Sequence, residues 1–132
     1  MKILVDTNIL ISALLWPSSK PAFALLHVVT YHTLILTDIN LTEFREVIKR
    51  KIPNVLPDAE TFLEELSFEI IPSVTKSVKT IRDPKDQPIL NAAIEAKVDI
   101  ILTGDKDFLS LTCQHPQAMT AAEYCKKFAI RG

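Results

Sequence analysis

The sequence predicts an α/β fold built on a mostly parallel β-sheet, and three observations carry that prediction. Short, unbroken apolar runs at Ile3-Leu4-Val5 and Ile100-Ile101-Leu102-Thr103 mark strands covered on both faces, as the strands of a parallel sheet are. Between such runs the apolar period becomes helical: Leu41, Phe44, Val47 and Ile48 recur at helix spacing, with Arg45, Lys49 and Arg50 on the other side. Strand-like and helix-like stretches then alternate along the chain, which is the pattern of βα units. The 132 residues suit a single domain, 1–132, and 48% of them are hydrophobic, enough for one ordinary core.

The elements follow in order. Residues 3–5 form the first strand, ending at Asp6. A helix is expected over about residues 8–15, halted at Trp16-Pro17-Ser18-Ser19, and Pro21 restarts one that runs to about Val29. Thr33-Leu34-Ile35-Leu36-Thr37, rich in β-branched residues, is the second strand. The helix beginning near Asn40 is ended by Pro53 and Pro57, and Asp58 is placed to cap the next, with Phe62, Leu63 and Leu66 turned inward. Phe68-Glu69-Ile70-Ile71 is the third strand, stopped by Pro72. Ile89, Leu90, Ala92, Ala93 and Ile94 lie on a helix with a small-residue face, ahead of the fourth strand. Ala118-Met119 is a last short strand, and Thr120 with Glu123 forms a capping box that opens a terminal helix.

Composition narrows the function classes. A formal net charge of −1 shows no global basic field of the kind that advertises nucleic-acid binding, so any such surface must come from charge distribution. The apolar runs fall short of a membrane span and the N-terminus shows no basic leader, so a soluble cytoplasmic protein is expected. Cys113 and Cys125 are too few for a disulfide framework or a metal knuckle and read as reduced thiols near a core face. His27, His32 and His115 have no partner pattern and read as structural or exposed.

The acids are more telling. In open α/β sheets the reactive crevice lies outside the carboxyl ends of the strands. Asp6 directly follows the first strand, and Asp105 and Asp107 follow the fourth after Thr103-Gly104. Gly104 is expected to permit a tight turn that a side chain would obstruct. Glu43 sits early in the helix after the second strand. Asp86 stands three, four and seven residues ahead of Ile89, Leu90 and Ala93, and so is expected on a buried helix face. Taken singly, each has a bland reading: a turn or cap for Asp6 and for Asp107, a first-turn acid favoured by the helix dipole for Glu43. Asp83-Pro84 reads as a cap followed by proline, and Asp38 as a turn residue. Convergence of the others on one crevice favours a site. Several carboxylates in one pocket repel each other unless a cation joins them. An all-oxygen ligand set suits Mg²⁺ or Mn²⁺ better than zinc. The chemistry then expected is in-line hydrolysis of a phosphodiester by metal-activated water.

These residues also carry a family resemblance. Val5-Asp6-Thr7-Asn8-Ile9-Leu10 resembles the opening motif of PIN domains. Glu43, the helix from Asp86 to Ala93, and Thr103-Gly104-Asp105-Lys106-Asp107-Phe108 resemble the remaining motifs in order and spacing. The resemblance covers essentially the whole chain and is nearest to the stand-alone branch assigned as toxins of toxin–antitoxin modules. It implies a three-layer α/β/α fold around a mostly parallel sheet, with Mg²⁺ or Mn²⁺ held by Asp6, Glu43, Asp86 and Asp105. Asp107 matches a more variable acidic position, and Asn8 and Thr103 match positions that brace the carboxylates. It further implies cleavage of single-stranded RNA, homodimers and, within modules, inhibition by a small antitoxin protein. One departure is the loop from Leu15 to Pro21, which lacks the glycine often found in this branch.

Setting the five candidate acids aside, basic residues outnumber acidic ones. Arg45 and Lys49 after Glu43, and Arg82 and Lys85 before Asp86, are candidates for tracking an RNA backbone; a solvated helix face and a charged loop are the alternative. Trp16 reads as a core or dimer-contact residue ahead of a base-stacking one. The competing functional reading is a catalytically silent PIN domain that binds RNA or protein. A phosphoacceptor receiver domain fits less well, because Asp6 is followed by Thr7 and Asn8 where a receiver needs a second acid.

Overall fold

A computed structural model describes residues 1–73, 87–110 and 116–130. Its centre is a sheet of five strands, β1 (Lys2–Val5), β2 (Thr33–Thr37), β3 (Glu69–Ile71), β4 (Ile100–Leu102) and β5 (Gln117–Met119). Their order across the sheet is β3-β2-β1-β4-β5, and every neighbouring pair is parallel. The expected parallel α/β/α architecture is what forms.

Both faces of the central strands are covered, and the strand period of two divides their side chains between two cores. Ile3, Val5, Leu34, Leu36, Ile100 and Leu102 enter the larger core, whereas Leu4, Ile35 and Ile101 enter the smaller. The larger is closed by α1 (Thr7–Leu15), α2 (Lys20–Tyr31), α3 (Asp38–Lys51), α4 (Leu56–Glu65) and α7 (Ala121–Lys127). On the smaller pack α5 (Gln87–Glu95) and Phe108 of α6 (Lys106–Leu109). Burial on both sides explains why these strands read as continuous apolar runs instead of alternating ones.

Several helix boundaries move by a residue or a turn, each for an identifiable reason. α3 begins at Asp38 because Thr37 is its cap, joined to Asn40 in a reciprocal box. Asp58 is not a cap: a 3₁₀ turn at Pro53–Val55 leads straight into α4, which places Asp58 inside the first turn. Ile94 of α5 is 48% exposed instead of inward, since the buried face runs through Ile89, Leu90, Ala92 and Ala93. Trp16 is no core residue either; it ends α1 and is 60% exposed. α1 and α2 meet at a bend of 108° across the Trp16–Ser19 break, and no single helix among the described residues is long and apolar enough to cross a membrane.

Glycine is so scarce here that left-handed helix ends fall to other residues. Lys97 (φ 57°) and Ala129 (φ 53°) take that conformation where α5 and α7 terminate. Behind them the Val98 and Ile130 N–H groups donate back to Ala93 and Cys125 carbonyls at 2.9 and 2.8 Å. At the other end of α7 the expected capping box is present. The Glu123 N–H donates to Thr120 Oγ1 at 3.1 Å and the Thr120 N–H to Glu123 Oε1 at 3.2 Å. Thr120→Ala is expected to lower stability by about 1 kcal/mol. Urea titration checks this: an unchanged midpoint would show that α7 is held by packing alone, through the Tyr124–Phe128 cluster and the 2.8 Å hydrogen bond between Tyr124 and His27.

Candidate active site

The strand order makes one crevice special. From β1 the chain winds outward through β2 to β3, then crosses back to β4 on the other flank of β1. The connections therefore leave the carboxyl ends of β1 and β4 in opposite directions, and a cleft opens there. Asp6 stands at the end of β1, and Thr103, Gly104 and Asp105 stand at the end of β4.

Asp6 is 9% exposed and tightly held. Its backbone N–H donates to the Leu102 carbonyl at 2.9 Å, extending the β1–β4 ladder. Its Oδ1 accepts the Thr7 N–H at 2.9 Å, which makes it the cap of α1, and its Oδ2 accepts the Thr103 hydroxyl at 3.0 Å. Asp6 is thus a cap and a crevice carboxylate at once. Burial is the main influence on its proton affinity and lifts its pKa from 3.8 to about 6. Thr103 and Thr7 pull the other way, and the charges of Glu43 and Asp105 add to the rise. The last two effects place Glu43 and Asp105 within electrostatic reach of Asp6.

Thr103 is fully buried and works in both directions. It donates to Asp6, and its Oγ1 accepts the Asp105 N–H at 3.0 Å. One hydroxyl thereby bridges two candidate acids. Asp105, not Asp107, caps the short helix α6: its Oδ1 accepts the Asp107 N–H at 2.8 Å. Gly104 corrects the expectation of a crowded turn. It has no positive φ, and a Cβ there would meet nothing within 4 Å, so the steric demand is absent.

Glu43 lies on the exposed side of α3, on the wall of a concavity of about 290 Å³ lined also by Asp38, Ile39, Thr42 and Glu46. Asp38 is more than a turn residue: it accepts the Ser73 N–H at 3.0 Å and the Ser73 hydroxyl at 3.4 Å, fastening the chain beyond β3 to the start of α3. Asn8 is exposed and makes no hydrogen bond to a carboxylate among the described residues, so the bracing falls to Thr103 and to the Thr7 backbone. Asp86, Arg82 and Lys85 lie outside the described residues, as do Asp83, Cys113 and His115.

The basic candidates on α3 turn away from Glu43. Arg45, two positions on, points to the opposite side of the helix and pairs with Glu60 of α4 through Nε at 2.9 Å. Lys49 also falls more than a quarter turn from Glu43, whereas Arg50, seven residues on, shares its side of the helix. Thr7, Thr37 and Asn40 were not singled out by the sequence reading and yet form the most buried polar group beside the crevice. The one available sign was the Thr37-to-Asn40 spacing, which is that of a capping box.

Among the described residues, no three acids, histidines or cysteines close into a cage that would enclose a metal ion. The donor chemistry nevertheless suits a hard cation: Asp6, Glu43 and Asp105 offer only carboxylate oxygens, and one of them is buried enough to raise its pKa.

A doubly wound parallel sheet with carboxylates at its switch point defines a class of acidic-site α/β proteins, and comparison with known proteins gives the family. A family model described as PIN domain matches residues 2–107. The chain belongs to the PIN domain family. It is 30% identical, over 117 residues, to an uncharacterized protein of Methanocaldococcus jannaschii, a match that covers 84% of this chain and 75% of that relative. The crystal structure of VapBC2 from Rickettsia felis, bound to a DNA fragment from their promoter, has a similar fold. The TM-score is 0.67 at 14% identity, covering 91% of this chain and 98% of that one.

Proposed function

We propose that this protein is a divalent-metal-dependent endoribonuclease that cleaves single-stranded RNA and serves as the toxin of a toxin–antitoxin module. PIN domains are in general nucleases, and family membership supports a phosphodiester hydrolase role. The observation that carries the reading is Asp6, a carboxylate buried at the switch-point crevice and braced through both oxygens, with Asp105 and Glu43 close enough to raise its pKa. A structural cap needs neither the second brace nor the neighbouring acids. In this reading Asp6, Glu43 and Asp105, with Asp86 and Asp107, would hold Mg²⁺ or Mn²⁺. When bound, the ion supplies Lewis acidity toward water and a phosphate oxygen.

The chain's own groups do the rest. Thr103 and the Thr7 N–H keep Asp6 oriented, so its oxygens need no reorganisation when substrate arrives. The toxin assignment is supported by the resemblance of the motifs to the stand-alone toxin branch; the fold is also shared with VapBC2. An antitoxin would dock on apolar surface of the first two helices near Trp16, which is 60% exposed, with the partly exposed Leu14 and Phe23 beside it.

The test uses the purified full chain, stripped of metal and given a fluorogenic single-stranded RNA. Cleavage is expected only when Mg²⁺ or Mn²⁺ is added back, together with a rise in melting temperature, because the ion binds the folded acids alone. Cleavage that persists unchanged in EDTA would sink the metal mechanism. Metal binding and RNA binding without cleavage would instead point to the silent binding module. For the toxin role, inducible expression of the chain is expected to arrest growth, and co-expression of a cognate antitoxin gene is expected to relieve the arrest. Harmless high-level expression without that gene would remove this part of the proposal alone.

A further inference from the structure

The structure assigns a positioning role to Asn40 and Thr7, which together lock the helix carrying Glu43 to the strand end carrying Asp6. The inference rests on the proposed metal-dependent reading of that same site and names residues through which its geometry is set. Asn40 and Thr37 are fully buried and Thr7 is 1% exposed, so their polar atoms must be bonded to one another or destabilise the fold.

Part of the network is an ordinary helix cap. Asn40 Oδ1 accepts the Thr37 hydroxyl at 2.8 Å and the Thr37 N–H at 3.3 Å, and Thr37 Oγ1 accepts the Asn40 N–H at 3.0 Å. The remainder is not needed for capping. Asn40 Nδ2 donates to Thr7 Oγ1 at 3.3 Å, and Thr7 Oγ1 donates to the Asn40 carbonyl at 3.4 Å. These two longer bonds span 33 positions of sequence and join the first turns of α1 and α3. From Thr7 the connection continues to the site, since its N–H is the 2.9 Å donor to Asp6 Oδ1. From Asn40 it continues along α3, because Glu43 lies three residues on and is its neighbour on the helix surface.

Apolar residues at both positions would bury equally well. What the hydroxyl and amide add is a defined distance between α1 and α3, whereas apolar helix packing permits small sliding. Carboxylates that share an ion need their separation held far more narrowly than packing alone holds it. Thr103 performs the corresponding task on the other flank, tying Asp6 to Asp105. Asp6 is therefore braced from both neighbouring elements, and each brace leads to another candidate acid.

The experiment compares Thr7→Val with Thr7→Ser in the full chain. Valine keeps the shape and removes the hydroxyl; the cap of α3 by Thr37 stays intact, and Thr7 keeps its backbone N–H. The primary readout is the Kd for Mn²⁺ by calorimetric titration, with the melting temperature of the metal-free protein measured alongside. Thr7→Val is expected to weaken Mn²⁺ binding by roughly tenfold or more, and Thr7→Ser to restore it to within about threefold. A folded Thr7→Val protein that binds Mn²⁺ as wild type does, whatever its melting temperature, overturns the inference and leaves the proposed function standing. Wild type that binds no Mn²⁺ overturns both. If Thr7→Val does not fold, Thr7→Ala against Thr7→Ser carries the same comparison with the same outcomes.

Discussion

Asp6→Asn is expected to abolish metal-dependent RNA cleavage while leaving the fold intact. The substitution is isosteric, and the asparagine oxygen can still accept the Thr7 N–H or the Thr103 hydroxyl that the carboxylate accepts at 2.9 and 3.0 Å. What disappears is the negative charge at the centre of the acidic group. Loss of a group that holds a charge-stabilising ion is worth several kcal/mol, so cleavage should fall by on the order of a thousandfold. Single-turnover cleavage of a labelled single-stranded RNA, with circular dichroism as the fold control, measures it. Activity within a few-fold of wild type would leave Asp6 as the cap of α1 and nothing more. Expression of the same variant in cells extends the test, because growth arrest caused equally by Asp6→Asn cannot come from nuclease activity.

The second large effect is on stability, and it runs opposite to the usual behaviour of a carboxylate. Most folded acids have depressed pKa values and stabilise the protein at neutral pH. Asp6 is raised, chiefly by burial, from 3.8 to about 6. The folded chain therefore holds the Asp6 proton more tightly than the unfolded chain does. The resulting stabilisation is complete below pH 3.8, declines as pH rises through about 6, and is absent above it. The amount at stake is on the order of 3 kcal/mol. Metal-free Asp6→Asn, which has no proton to lose, should melt roughly 10 °C above metal-free wild type at pH 8, with the gap closing as pH falls toward 4. Saturating Mn²⁺ should close the gap at pH 8 from the other direction, by stabilising only the protein that retains the carboxylate. A melting-temperature difference that stays the same from pH 4 to pH 8 would show that burial of Asp6 places no penalty on its charge.

These two expectations concern one residue, and Asp6 was legible in the sequence for a specific reason. A carboxylate set directly after Ile3-Leu4-Val5, a strand buried on both faces, stands at the carboxyl end of the sheet. The same logic applies to Asp105 behind the strand Ile100-Ile101-Leu102-Thr103, whereas Thr103 itself stands out only through the family resemblance. Local rules also gave the Thr120–Glu123 box correctly. They failed at Asp58, where a cap was expected. Which residue caps depends on where the preceding backbone turns, and here that turn is made by Pro53–Val55. They failed for Gly104 as well, because the space around a backbone atom is set by distant segments and not by the neighbours in sequence.

By itself, then, the sequence determined the strand and helix periods, the parallel sheet they require, and which acids follow buried strands, since all of these depend on residues within a few positions of one another. Tertiary structure alone decided that β1 and β4 are neighbours at the switch point, and hence that Asp6 and Asp105 share the Thr103 hydroxyl. It alone turned Arg45 toward Glu60 and left Trp16 in solvent. It also joined Thr7 to Asn40 across 33 positions, a contact that no local pattern encodes. For the Thr103 and Thr7–Asn40 contacts the physical reason is that a buried polar atom must find a partner, and packing brings that partner from another part of the chain.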